Sequence, residues 1–239
     1  MAAPLRILIT GFGPFPGAPF NPTQALVARL AALRRPAFAD ISRVAHVFPV
    51  SYAAVDRELP RLLATHRPDA LLMFGLAART PFIRVETRAR NAVTMLWPDS
   101  EHACVRQASI VRGADAQSFG PHADSLLRAA RRAGHDVRSS RDAGRYLCNY
   151  LSWRGIEAAR KPGGPAVAAF IHVPLVARDT ASHRMTLPEL VDAGEALLRE
   201  TVRLARDRRR ATILQADPSN EGSSASRTPG QISPHDQRL

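Results

Sequence analysis

The order of strand and helix patterns in the first 76 residues constrains the fold more than any other feature of this sequence. Mostly apolar segments predict buried β-strands at residues 5–9 and 70–74, and residues 41–48 predict a strand between them. Helical patterns separate the three strands, at residues 22–34 and 52–66. Asn21 and Ser51 precede the two helices and are favourable N-cap residues. This alternation predicts a layered α/β fold. We expect a three-layer α/β/α sandwich around a mostly parallel, mixed sheet.

The remaining elements are less regular, and the chain ends in a polar tail. An alternating pattern at residues 82–96 predicts a strand or extended arm, and a weak signal after it includes a strand at residues 108–111. Further helices are predicted at residues 121–133, 147–160 and 187–206, and further strands at 135–138 and 166–174. Residues 218–239 are rich in Ser, Pro, Gly and Gln. We predict one α/β domain over residues 1–210 and a disordered tail over residues 211–239.

Composition narrows the class of protein. Two cysteines in 239 residues argue against a disulfide scaffold, and no apolar run approaches transmembrane length. We therefore expect a cytoplasmic protein with no membrane partner. The formal net charge is +12, but the arginines are spread along the chain and do not interleave with aromatic residues as a stacking platform requires. We expect no nucleic-acid partner, a hypothesis that salt-dependent binding to DNA or RNA would overturn.

A loop rich in glycine and proline follows the first predicted strand. Its three glycines do not have the G-x-G-x-x-G spacing of a dinucleotide site, and its prolines lack the amide donors that a pyrophosphate needs. Phe12 and Phe15 lie in this loop, where they predict the walls of a small apolar pocket. We predict neither a cofactor nor a metal site.

Cys148 lies where a thiol can be activated. Asp142 and Gly144 predict a turn, and a helix follows, so Cys148 falls in its first turn, where the positive end of the helix dipole favours a thiolate. His172 ends an apolar strand and can present an imidazole at the rim of a sheet, as a nucleophilic thiol requires. On spacing alone, a buried core cysteine and a hydrogen-bonded histidine explain the pattern better than a catalytic pair.

Glu86 lies among arginines on the alternating segment. One face of this segment carries Arg84, Glu86, Arg88 and Arg90, and the other carries apolar residues. The neighbouring cations favour the carboxylate form of Glu86. Taken alone, the pattern is typical of a solvated, charge-paired strand face.

Four fragments are informative when they are taken in order. They are Thr10-Gly-Phe-Gly-Pro-Phe15 with Asn21-Pro22-Thr23, then Gly75-Leu-Ala-Ala-Arg79 with Glu86 and Asn91, then Asp142-Ala-Gly-Arg-Tyr-Leu-Cys148-Asn149, then Phe170-Ile-His172-Val-Pro174. Together they resemble the pyroglutamyl-peptidase I, or pyrrolidone-carboxylate peptidase, family of cysteine peptidases. The resemblance covers residues 5–206 and reverses the interpretation of Cys148, His172 and Glu86 given by spacing alone.

The resemblance implies a cysteine omega-peptidase that removes the N-terminal pyroglutamyl residue from peptides through a Cys–His–Glu triad. Cys148 would be the nucleophile, His172 the base and later the acid, and Glu86 the group that orients and stabilises the imidazolium. The partners would be N-terminally pyroglutamylated peptides, and the resemblance also implies a homo-oligomer, either a dimer or a tetramer.

The substrate's lactam ring is flat, small and uncharged, and its desolvated N–H and C=O groups need hydrogen-bond partners. We predict that aromatic and apolar side chains hold the ring and that backbone groups near one asparagine and one leucine pair with it. The predicted pocket residues are Phe12, Phe15, Asn21, Leu76, Tyr146 and Leu147.

The chain departs from the family's pattern at several positions, among them Arg145, which is larger than the usual Thr. The family usually has Gly-Gln-Ala-Gly-Gly-Arg where this chain has Gly75-Leu-Ala-Ala-Arg79, and many members have an arginine in the place of Leu96. That arginine is expected near the oxyanion. The departures leave open a divergent homologue with altered or lost activity that binds a lactam or amide ligand.

Overall fold

The structure is a computed structural model that describes residues 3–15, 17–178 and 183–215. The strands are β1 Leu5–Phe12, β2 Ile41–Phe48, β3 Ala70–Leu76, β4 Ile83–Glu86, β5 Arg88–Ala89, β6 Gln117–Ser118, β7 Val137–Ser140 and β8 Val167–Val173. The helices are α1 Pro22–Ala32, α2 Tyr52–His66, α3 His122–Arg132, α4 Leu147–Arg160 and α5 Leu187–Gln215.

Six strands form one mixed sheet in the order β2-β1-β3-β8-β4-β7, and β5 pairs with β6 in a separate small ladder. The strands β2, β1, β3 and β8 are parallel to one another. β4 is antiparallel to β8 and parallel to β7, so the last two strands run in the opposite direction. The expectation of a mostly parallel, mixed sheet is confirmed.

Helices cover both faces of this sheet. One apolar cluster joins the sheet to α1, α3 and α5 and includes Ile7 and Ile9 of β1. A second cluster, on the other face, joins the sheet to α2 and α4 and includes Leu8 and Phe12 of the same strand. Because successive side chains of a strand point to opposite faces, a strand buried on both faces is apolar along its length. The three-layer α/β/α arrangement follows from this double burial.

The first two helices begin at the predicted residues because their N-caps are local. The Thr23 backbone N–H donates to Asn21 Oδ1 at 3.1 Å, and the Ala54 backbone N–H donates to Ser51 Oγ at 3.2 Å. Each cap satisfies a donor that has no partner within the helix, an effect worth about 1 kcal/mol.

The irregular middle of the chain differs from its predicted elements. The strand predicted at residues 108–111 is wrong, because the N–H groups of Ile110 and Val111 donate to the Asn91 side chain, at 2.8 and 2.9 Å, instead of to a strand. The arm predicted at residues 82–96 forms only the short strands β4 and β5 before it enters a loop.

The last helix is longer than predicted. It was expected to end near Arg206, yet α5 continues to Gln215, five residues past the predicted end of the domain at residue 210. The rest of the predicted tail lies outside the described residues. The division into one domain and a tail stays a prediction. Among the described helices, none combines the length and the apolar character needed to cross a membrane.

Candidate active site

The carboxyl end of β3 brings a thiol to the edge of the sheet. Gly75 of β3 pairs in register with His172 of β8, and a Cβ atom placed on Gly75 would lie 2.7 Å from Cys148 Sγ and 2.7 Å from Phe170 Cζ. Real Cβ atoms do not approach other heavy atoms so closely, so only glycine lets the start of α4 pack here. Gly75 therefore places Cys148 beside the strand that carries His172.

Cys148 lies in the first turn of α4, as predicted, but its thiol is protonated. Burial, followed by the nearby Glu86 charge, raises the pKa of the thiol to about 12. The Arg84 charge and a hydrogen bond from the Leu76 backbone N–H oppose this shift. The net shift is upward, so the thiolate expected from the sequence is not the resting form.

His172 and Glu86 form a buried pair. His172 Nδ1 lies 2.7 Å from Glu86 Oε1, and the two residues are only 3% and 1% exposed. The alternative interpretation of Glu86 as part of a solvated strand face is therefore wrong. Because an ionised carboxylate only accepts hydrogen bonds, a neutral His172 carries its proton on Nδ1 and has a free lone pair on Nε2.

The direction of β4 places Glu86 next to His172. Since β4 is antiparallel to β8, Arg84 pairs in register with His172, and Glu86 lies two residues farther from the carboxyl edge of β8. Arg84 Nε lies 3.4 Å from Glu86 Oε1, while Glu86 Oε2 is buried and has no hydrogen-bond partner among the described residues. The carboxylate thus shares one oxygen between an arginine and an imidazole.

The charges around His172 act in opposite directions. Burial lowers the pKa of His172, whereas the hydrogen bond and the charge of Glu86 raise it. Arg84 lowers the pKa, and Asp142 raises it. The net shift is downward, which favours a neutral imidazole. In the described part of the chain, no hydrogen bond joins the His172 ring to the Cys148 thiol.

Asn149, the residue after Cys148, attaches α4 to the segment beyond β5. Its Oδ1 accepts from the Arg90 backbone N–H at 2.8 Å, and its Nδ2 donates to the carbonyls of Arg90 and Ala92 at 2.8 and 2.9 Å. The side chain is fully buried. Sequence reasoning gave this asparagine no role, because its partners lie more than fifty residues away.

We expect Asn149→Ala to lower the free energy of unfolding by an amount on the order of 3 kcal/mol, because three buried backbone groups would lose their partner. Chemical denaturation measures this loss. Asn91→Ala is the matched control, since Asn91 also binds loop backbone but is only partly buried. A loss for Asn149→Ala no larger than that for Asn91→Ala would contradict the prediction.

The predicted pocket residues line the same edge but differ in burial. Phe12 and Leu147 are 2% and 1% exposed and belong to the core beneath α2 and α4. Phe15 and Tyr146 are partly exposed and pack against this core, as does Cys148. Leu76, at the end of β3, is also partly exposed.

The Asn21 side chain forms hydrogen bonds with other groups of the same chain. Its Nδ2 donates to the Gly13 carbonyl at 3.1 Å, and its Oδ1 accepts from the Thr23 backbone N–H. The asparagine therefore fixes the loop that carries Phe15.

Other candidate sites lie apart from this edge. A cavity of about 640 Å³ between α2 and α4 is lined by residues such as Leu59, Arg67 and Lys161, and by neither Cys148 nor His172. Among the described residues, no group of three or more His, Cys, Asp or Glu side chains could hold a metal ion.

Known proteins resemble this chain along most of its length. Residues 5–199 match the family model described as pyroglutamyl peptidase. The chain is 30% identical over 203 residues to the pyrrolidone-carboxylate peptidase of Thermococcus onnurineus, which covers 83% of this chain and 100% of that protein. It is 33% identical over 171 residues to the pyrrolidone-carboxylate peptidase of Thermococcus kodakarensis, with 71% and 81% of the two chains covered.

Solved structures of pyrrolidone carboxyl peptidases also resemble this chain along most of its length. The pyrrolidone carboxyl peptidase from Thermococcus litoralis matches with a TM-score of 0.77 and 26% identity, and the match covers 85% of this chain and 96% of that chain. A mutant pyrrolidone carboxyl peptidase from Pyrococcus furiosus matches with a TM-score of 0.74 and 25% identity, over 83% and 99% of the two chains. Since the family model and the relatives span most of the sequence, this chain belongs to the pyroglutamyl peptidase family of cysteine peptidases.

Proposed function

We propose that this protein hydrolyses the peptide bond after an N-terminal pyroglutamyl residue, with Cys148 as nucleophile, His172 as base and then acid, and Glu86 as the residue that orients His172. The observation that carries this proposal is the buried contact of 2.7 Å between His172 and Glu86, at the edge where Gly75 admits the Cys148 thiol. The substrates are peptides whose first residue is a cyclised glutamine.

The reaction begins from a thiol and a neutral imidazole. As Sγ attacks the carbonyl carbon of the pyroglutamyl residue, the thiol proton moves to His172 Nε2. The carboxylate of Glu86 stabilises the imidazolium that forms. His172 then gives the proton to the departing amine as the C–N bond breaks, which leaves a thioester. Water, deprotonated by His172, hydrolyses the thioester and releases pyroglutamate.

Backbone donors are available for the developing oxyanion. The N–H groups in the first turn of an α-helix have no partner within the helix, and the first turn of α4 carries Cys148. Preorganised N–H donors of this kind stabilise negative charge on a carbonyl oxygen. The Leu76 N–H, which faces the thiol, is a further donor at the same edge.

The lactam would contact the partly exposed side chains at the edge of the sheet. Phe15, Leu76 and Tyr146 offer apolar surface to it, while Phe12 and Leu147 support this surface from the core. An uncharged ring suits such a pocket, because no ion has to be desolvated.

The test is the release of a fluorophore from a pyroglutamyl amide, with and without iodoacetamide. Hydrolysis that iodoacetamide abolishes supports the proposal, whereas folded protein without hydrolysis contradicts it.

A second candidate function is a homologue that binds a lactam or amide ligand without turnover. It is favoured by the protonated thiol and by the lack of a hydrogen bond between Cys148 and His172 in the described part of the chain. Binding of pyroglutamate seen by calorimetry, together with no turnover, would identify this second function.

The pH dependence of kcat/KM should show an acid limb below the usual histidine pKa of about 6.5. As the pH falls, His172 becomes protonated and can no longer accept the thiol proton, so activity is lost as the pH passes below its lowered pKa. Measurement between about pH 5 and pH 9 reports this pKa for the free enzyme.

Arg84→Gln provides the internal control for this profile. Arg84 is one of the groups that lower the pKa of His172, so its removal should move the acid limb to higher pH. An acid limb above pH 7 in the unaltered protein, or no shift in the variant, would contradict the assignment.

A further inference from the structure

Three large apolar side chains are exposed beside the candidate active site. Met95, Leu96 and Trp97, which we call the apolar loop, have relative exposures of 51%, 84% and 62%. No charged residue occurs at positions 92–98. Contiguous exposed apolar surface of this kind marks a binding site for a ligand or another protein.

The apolar loop is attached to the residues that precede the nucleophile. The Thr94 backbone N–H donates to the Arg145 carbonyl at 2.7 Å, and the Tyr146 hydroxyl donates to the Pro98 carbonyl at 2.8 Å. The rings of Trp97 and Tyr146 meet edge to face, with 6.4 Å between their centroids. Tyr146 is the N-cap of α4, so the loop is held at the start of the helix that carries Cys148.

A buried aspartate fixes the far end of the loop. Asp99 is 5% exposed, and its carboxylate accepts backbone N–H groups from Tyr52, Glu101 and Ala103 at distances of 2.9–3.0 Å. The backbone of the apolar loop is therefore ordered before any ligand binds. A preordered surface loses less conformational entropy on binding than a disordered one.

We propose that the apolar loop binds the departing part of the substrate, and that Leu96 and Trp97 give the enzyme a preference for apolar residues directly after the pyroglutamyl residue. This inference rests on the proposed function. A pyroglutamyl residue is N-terminal, so every other residue of the substrate lies on the departing side. The residue directly after the pyroglutamyl residue is bonded to the carbonyl that Sγ attacks, so its side chain is the part of the departing peptide closest to Tyr146 and, through the contacts of Tyr146, to the apolar loop.

The competing occupant of this surface is a second copy of the chain. The continuity of the loop with the candidate active site favours the substrate, because the ring of Tyr146 contacts Trp97 and its backbone leads directly to Leu147 and Cys148. The two occupants differ in what the removal of an apolar side chain changes. Loss of a substrate contact changes the choice between peptides, whereas loss of an interface changes the oligomeric state.

The experiment compares pyroglutamyl-Leu-Ala-amide with pyroglutamyl-Ser-Ala-amide, with the newly released amine as the readout. We expect the unaltered protein to have a kcat/KM about tenfold higher for the leucine peptide, the size of effect that one apolar contact gives in substrate discrimination. Leu96→Ser and Trp97→Ser should each bring the ratio toward one. Leu214→Ser is the matched control, because Leu214 is also exposed, at 69%, but lies at the end of α5. It should leave the ratio unchanged.

The outcomes separate this inference from the proposed function. Hydrolysis of neither peptide by the unaltered protein overturns the proposed function and the inference with it. Hydrolysis of both peptides with equal kcat/KM overturns the inference alone. An unchanged ratio in Leu96→Ser and Trp97→Ser, with a smaller particle by light scattering, also overturns it and shows that the loop is an interface between copies.

Discussion

Cys148→Ser is expected to lower the hydrolysis of a pyroglutamyl amide by a factor on the order of 10⁴–10⁶, the loss that follows removal of a catalytic nucleophile. A hydroxyl is far less acidic than a thiol and is a poorer partner for an imidazole base. The serine is smaller than the cysteine and fits against Gly75 and Phe170, so the protein should stay folded. Turnover and thermal unfolding measured on one preparation check both statements.

Cys104→Ser is the control for this change. Cys104 is a free and exposed cysteine with no match to the family fragments, and its replacement should leave turnover and stability nearly unchanged. Because iodoacetamide would also alkylate this exposed thiol, alkylation of Cys148 is best followed in the Cys104→Ser background. Most of the activity retained in Cys148→Ser, or activity lost in Cys104→Ser at unchanged stability, would mean that the wrong cysteine is assigned.

Glu86→Gln should lower turnover by about 10²–10⁴-fold, as the loss of the orienting acid does in other triads. The change keeps the size of the side chain but removes the charge that stabilises the imidazolium. An amide can also donate to Nδ1, which would place the His172 proton on Nε2 and leave no base facing the thiol. Binding of pyroglutamate should survive, since the pocket side chains are unchanged.

Two further measurements make this prediction specific to the site. Glu86 raises the pKa of His172, so its neutralisation should move the acid limb of kcat/KM to still lower pH. Glu58→Gln is the matched control, because Glu58 Oε2 also lies against a histidine, 2.9 Å from His46 Nε2, at the opposite edge strand of the sheet. Equal losses in the two variants, or unchanged turnover in Glu86→Gln, would remove Glu86 from the triad.

Local signals in the sequence account for the elements that were predicted correctly. Asn21 and Ser51 cap helices through residues two or three positions away, so the starts of α1 and α2 can be read from short segments. The strand predicted at residues 108–111 is wrong because its backbone donors are bound by Asn91, about twenty residues away. The hydrogen-bond acceptor that determines the conformation of residues 108–111 lies outside that segment.

The candidate site depends even more on distant pairing. Glu86 is buried because β4 is antiparallel to β8. No local sequence pattern reveals this reversal of strand direction. The alternation of charged and apolar residues around Glu86 therefore indicated a solvated strand face. The protonation of Cys148 was also misjudged from sequence, because the helix start is visible in the sequence and the burial of the thiol is not. The matched fragments point to Cys148, His172 and Glu86 as the site residues, and the packing sets the direction in which the pKa values of Cys148 and His172 are shifted.

The antiparallel pairing of β4 with β8 also divides the sheet at the candidate active site. β4 and β8 pair only through Arg84 with His172 and Val85 with Ile171, whereas β3 and β8 pair along Ala70–Leu76. Proteins open first where the fewest interactions hold two cooperative units together. Separation of β4 and β7 from the parallel strands would part the acid from the imidazole while the larger unit stays intact. On heating, we expect this protein to lose its hydrolysis of a pyroglutamyl amide at a temperature below that at which its core melts.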